Sequence, residues 1–146
     1  METLYHFFVT SFLTGLIWVI QVVHYPSFKW IDQSDYVSYA VFHTHRITYV
    51  VAPFMLAELF FTLRMFFLKD IPSSLLWSAV GLTVIIWAST FFIQVPLHGV
   101  LASHKDLSAI DKLVSSNWIR TVAWTLKATV LGWIVLNFLK DKGGLL

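Results

Sequence analysis

The sequence predicts an all-α integral membrane fold, a four-transmembrane-helix antiparallel bundle built from two helical hairpins that resemble each other. Three observations predict it. Hydrophobic residues make up 58% of the 146 residues and charged residues only 12%, and mean hydropathy is +0.73, a surface that lipid solvates and water does not. Four stretches, about residues 4–25, 47–68, 75–100 and 118–139, are apolar and long enough to cross roughly 30 Å of hydrocarbon. Little sequence remains between them, so residues 1–146 read as one transmembrane domain.

The first span has no basic leader and no small-x-small cleavage site, and is read as a permanent helix. It ends in Gln21-Val22-Val23-His24-Tyr25-Pro26. Tyr25, Phe28, Trp30, Tyr36, Tyr39 and Phe42 crowd the connection that follows, an aromatic composition suited to the headgroup zone. Asp32, Ser34 and Asp35 form a helix-start signal, so the second helix begins near Ser34, ahead of its apolar part. Pro53, one turn before Glu58, frees a carbonyl and favours a kink. Lys69-Asp70-Ile71-Pro72-Ser73-Ser74 is a short turn in which Ser73 or Ser74 caps the third helix. The third span ends in Gln94-Val95-Pro96-Leu97-His98, a near-repeat of the first, which pairs His24 with His98. The second connection is more charged, and Asp106 with Ser108 starts the fourth helix near Leu107. Arg46 and Arg120 lead into the second and fourth spans, and the tail from Lys140 to Gly144 is expected to fray.

Several classes are excluded. Without cysteine there is no disulfide, thiolate metal site or iron–sulfur cluster. A dispersed net charge of +2 does not suit nucleic acid. No phosphate-binding loop, Ser–His–Asp pattern or thiol nucleophile is present. Lys and Arg are balanced between the two sides and define no orientation.

Helical spacing gathers the polar residues into stripes. Thr3, His6, Thr10, Thr14, Gln21 and His24 share one face of the first span; Thr83, Thr90, Gln94 and His98 share one of the third. Asn117, Arg120, Trp124 and Lys127 line the fourth. Such stripes are costly against lipid and should face the bundle interior, the threonines bonding across helices. Glu58 lies near the bilayer centre, and Lys127 differs from it in depth by about 5 Å, so the two can pair. An intramembrane acid is a functional candidate by default, here a proton carrier or an additional ligand.

His24, His43, His45, His98 and His104 arrive at one end of the bundle, and His6 lies at the other. Five imidazoles at one level suggest a metal ion (iron, copper or zinc) or haem b. Haem would use His24 and His98, zinc or copper three or four nitrogens, and a dinuclear centre most of the cluster with Glu58. Residues i and i+2 point apart on a helix, so one of His43 and His45 faces inward, with His43 nearer the side of Glu58. Gln21, Gln94 and Asn117 are placed to fix imidazole tautomers or contact a bound molecule, and Arg120 to receive an anionic group. An ordinary polar network and metal-free proton handling remain open beside the metal.

The four-span, two-repeat layout, with Pro26 after the first span, resembles small membrane proteins grouped with the anthrone oxygenases. That resemblance implies oxidoreductase chemistry and carries no shared catalytic motif. The leading expectation is therefore a membrane oxidoreductase with a histidine-rich pocket, acting on a small lipophilic molecule from the bilayer. One alternative is an oligomeric transporter or proton-coupled channel using Glu58, Lys127 and the histidines; another is a non-catalytic assembly subunit. A pocket closed at the His6 end favours the enzyme, and a continuous wet path favours transport. Imidazoles more than about 10 Å apart would remove the shared-metal reading.

Overall fold

The computed structural model describes residues 1–68 and 71–141. Lys69 and Asp70 of the short turn, and residues 142–144 of the tail, lie outside the described residues. Four helices are each long and apolar enough to cross a membrane: α1 (Glu2–Trp30), α2 (Tyr36–Phe67), α3 (Ser73–Leu101) and α4 (Leu107–Lys140). The chain is an integral, multi-pass membrane protein folded as an all-α four-helix bundle. The shortest of these helices has 29 residues, about 43 Å at 1.5 Å per residue, so their ends reach beyond the hydrocarbon. Large apolar side chains such as Phe8, Phe67, Trp77, Phe92 and Trp133 cover the outer surface, where lipid replaces water as solvent.

The helix starts are local chemistry. Asp106 caps α4, its Oδ1 accepting from the backbone N–H groups of Ser108 at 2.8 Å and Ala109 at 3.1 Å. Asp35 occupies the capping position of α2 without a side-chain cap bond. At α3 the capping position belongs to Pro72, whose carbonyl accepts from Leu75 N–H at 3.0 Å. Ser73 and Ser74, expected to cap, are instead the first helical residues, because Pro72 fixes an extended entry.

The two halves share a feature more specific than their sequence similarity. α1 widens into a π-helical turn at Ile20–His24, and α3 does the same at Thr90–Gln94. Each turn stands just before a proline, Pro26 or Pro96. A proline inside a helix lacks its N–H and crowds the carbonyl four residues back, here Val22 or Phe92; one wider turn relieves the clash. Aligning the π turns matches Pro26 with Pro96 and His24 with Gln94. The sequence pairing of His24 with His98 is therefore displaced, and the structural counterpart of His98 is Phe28.

Packing is uneven round the bundle. α4 lies along both α1 and α3, and α1 also lies along α2, whereas α2 and α3 meet over much less of their length. Gly132 allows the close α1–α4 approach, since a Cβ there would stand 3.2 Å from the Phe7 ring. Leu13, Ile17, Met55, Ile86 and Trp124 form a buried apolar layer at mid-bundle. At the histidine end the connections are tied together: the Lys105 ammonium donates to the carbonyls of Lys29 (3.1 Å) and Ile31 (2.6 Å), and Lys29 pairs with Asp111.

Candidate functional site

Three imidazoles from three helices converge. His24 leaves the π turn of α1, His43 lies on the inner face of α2, and His98 follows Pro96 on α3. Ring centroids stand 4.3 Å apart for His24 and His43, and 5.7 Å apart for His43 and His98. His24 Nε2 and His43 Nδ1 share a hydrogen bond of 2.7 Å. The Tyr25 hydroxyl meets His98 Nε2 at 3.0 Å, and Phe28 stacks edge-on against His24 and His43. His43 Nε2 is buried without a hydrogen-bond partner among the described residues.

His98 and Tyr25 also line a cavity of about 370 Å³ in the open seam between α2 and α3. Most of its wall is apolar: Ile47, Val51, Ala52, Met55, Leu56, Phe91 and Val95. Leu56, Phe91 and Val95 are more than half exposed, so the cavity opens sideways toward lipid. Its inner end is polar. Arg120 reaches it from α4 and lies against the Tyr25 hydroxyl; Gln94, Thr90 and Trp87 are further polar residues on the cavity wall. Arg120 Nε, Trp87 Nε1 and Gln94 Oε1 are buried with no partner among the described residues. A mostly apolar recess with a few convergent, unsatisfied polar atoms is the form small-molecule sites take.

A second polar centre lies on the far side of the apolar layer. Lys127 is fully buried and donates to Glu58 Oε1, Thr83 Oγ1 and Thr62 Oγ1, the last at 2.8 Å. Those three acceptors match the three N–H bonds of an ammonium. Glu58 Oε1 also meets His6 Nε2 at 3.0 Å and accepts from Thr62 Oγ1 at 2.9 Å. Glu58 Oε2 and His6 Nδ1 have no partner among the described residues. Neither Glu58, Lys127 nor His6 lines the cavity, or the roughly 450 Å³ recess at the opposite end near Glu2 and Asn137.

The remaining sequence-predicted residues divide cleanly. His45 is exposed on the outer side of α2 and His104 is exposed in the second connection, where it meets Ser103 and Asp106; neither joins the cluster. Helix phase decides the first, since His43 and His45 point apart. Gln21 does not support His24. It ties α1 to α4, accepting from Asn117 Nδ2 (2.9 Å) and Thr121 Oγ1 (3.3 Å) while donating to the Val114 carbonyl (3.0 Å). Gln94 donates to Ser116 Oγ at 3.1 Å and keeps its oxygen for the cavity. Residues missed in sequence are His6, Thr62 and Thr83 as partners of the Glu58–Lys127 pair, and Tyr25 as the partner of His98. The same depth arithmetic that relates Glu58 to Lys127 reaches His6, given antiparallel α1 and α2.

Among the described residues, no three His, Asp or Glu side chains are arranged to hold a metal ion. Two nitrogens on one tetrahedral zinc stand roughly 3.3 Å apart, given bonds of about 2.0 Å. The 2.7 Å His24–His43 bond would have to open first. No protein-family signature, curated protein or solved structure matches the chain, so the likeness to the anthrone-oxygenase group stays one of layout.

Proposed function

We propose that the protein is a membrane enzyme that takes a small lipophilic molecule from the bilayer into the cavity between α2 and α3 and moves a proton at its polar end. The observation that carries this reading is the Tyr25–His98 hydrogen bond of 3.0 Å on the wall of a lipid-accessible cavity, beside Arg120. An imidazole held by a phenol is a suitable acid–base group, and an adjacent guanidinium steadies negative charge on the reacting molecule. His43 and His24 continue the line of imidazoles from His98, offering the proton onward positions. Native mass spectrometry of protein released from its own membranes tests the reading. A small lipophilic molecule should be retained by the natural chain and lost from Ala52→Trp, which fills the cavity. No retained molecule, or equal retention by both, contradicts it.

A second reading keeps the metal and the oxidoreductase. It is favoured by three imidazoles from three helices lying within one ring-to-ring neighbourhood of 4.3 and 5.7 Å. In it His24, His43 and His98 turn their nitrogens inward on iron, copper or zinc. Haem b is less well served, because His24 is bonded to His43 rather than set opposite His98. Elemental analysis with a visible spectrum separates the readings: a stoichiometric metal supports the second, and none supports the first.

A further inference from the structure

We infer that the molecule taken into the α2–α3 cavity is an anion, its carboxylate or comparably charged oxygens seated on Arg120. This rests on the reading of the cavity as a ligand site and adds the chemical class of the ligand.

The inference begins from a charge without a counter-charge. Arg120 is 6% exposed, and a guanidinium stays protonated in any protein setting. Buried cations are paired with acids or bind anions, since removing one from water is otherwise expensive. None of the described carboxylates is paired with Arg120. Glu2 is taken by Arg64, Glu58 by Lys127 and His6, and Asp111 by Lys29, while Asp106 caps α4 and faces His104. Asp32 and Asp35 belong to the connection outside the bundle. The neighbours that Arg120 does have include the Tyr25 hydroxyl and the His98 imidazole, and Gln94 lines the same cavity.

A second observation points the same way. Two N–H donors on the cavity wall, Arg120 Nε and Trp87 Nε1, are buried and lack acceptors. They come from different helices, α4 and α3, and each can donate to an anionic oxygen held in the cavity. The single unpartnered acceptor there, Gln94 Oε1, leaves room for one hydroxyl or N–H on the ligand. Most of the remaining wall is apolar and opens toward lipid, so the anion carries an apolar body seated in a cavity of about 370 Å³. Lys127, the other buried cation, is already neutralised by Glu58 and does not compete.

Matched probes test it on the whole protein in an uncharged maltoside detergent: decanoate against decanol, and 2-naphthoate against 2-naphthalenemethanol. Binding is read by tryptophan fluorescence and by thermal shift. The acid should bind at least about tenfold tighter than its alcohol in one or both pairs, the scale of one charge-assisted contact. Arg120→Gln should remove that preference, and Arg120→Lys should keep much of it. Trp87→Phe, which deletes a donor without touching the charge, should weaken the acid selectively, so the test survives if Arg120→Gln does not fold. Equal binding of acid and alcohol in both pairs overturns the anion while leaving the cavity occupied. Binding of no probe, with Ala52→Trp behaving as the natural chain, overturns the cavity reading as well.

Discussion

Lys127 and Glu58, separated by 69 positions in the chain, form an ion pair inside the bundle with neither side chain exposed. Thr62, Thr83 and His6 add hydrogen bonds to it, while Glu58 Oε2 has no partner among the described residues. Desolvation of two charges offsets much of their attraction, so the pair contributes little net stability, but separating it is expensive. Glu58→Leu or Lys127→Met alone should destabilise the folded protein by about 3–5 kcal/mol. The double variant Glu58→Leu with Lys127→Met should cost far less than the sum. Unfolding titrations in mixed detergent micelles measure this; small, additive losses would count against a coupled pair.

The histidines of α2 provide an internal control. His45 is exposed and His43 is buried against His24, two residues away on the same helix. His45→Ala should leave stability and ligand retention within about 0.5 kcal/mol of the natural chain. His43→Ala removes a buried hydrogen bond and should cost about 1–3 kcal/mol, with weaker retention of the bound molecule. Thermal shift on both variants, with and without added ligand, separates them.

Tyr25→Phe deletes one hydroxyl. It leaves His98 Nε2 without the 3.0 Å contact and the Arg120 guanidinium without an adjacent oxygen. The stability loss should be about 1–2 kcal/mol, the cost of leaving a polar partner unsatisfied. On the proposed enzymatic reading Tyr25 positions His98, so turnover should fall while ligand affinity changes little; unchanged turnover would contradict that role. Turnover and affinity measured on the same preparation distinguish these outcomes.

The π turns make a prediction about chain length. A π turn holds one residue more than the α turn it replaces, so deleting one residue within it restores a regular helix and keeps both flanks in phase. Deleting lipid-facing Phe92 from Thr90–Gln94 should therefore preserve the fold and the phase of both flanks, at a loss of about 3 kcal/mol because the regular helix restores the Pro96 clash. Deleting Val84, in regular helix, rotates everything beyond it by about 100° and moves His98 and Gln94 out of the cavity. The first variant should lose thermal stability yet keep ligand retention, whereas expression, thermal stability and ligand retention should fall together in the second.

Hydropathy and helix phase made much of this legible. The four spans, the early starts of α2 and α4, and the meeting of His24, His43 and His98 all follow from apolar length plus antiparallel alternation. The choice of His43 over His45 follows from phase once Glu58 is taken as inward. Other features depend on rotations of a few tens of degrees that hydropathy does not encode. Gln21 turns toward Asn117 instead of His24 because the π turn shifts the phase of α1 before His24 is reached. The place of the cavity in the α2–α3 seam was illegible for a different reason. The cavity exists because α2 and α3 pack loosely while α4 fills the opposite side, a property of the assembled bundle and of no segment alone.

The central claim is a saturable, lipid-accessible site between α2 and α3, and photolabelling with a lipophilic diazirine carrying a carboxylate tests it most directly. Label should saturate at low probe concentration on the seam segments around Ala52 and Phe91, and Ala52→Trp or excess decanoate should abolish that fraction. Labelling that rises linearly and spreads evenly over all lipid-facing surfaces, unchanged by Ala52→Trp or competitor, would contradict it.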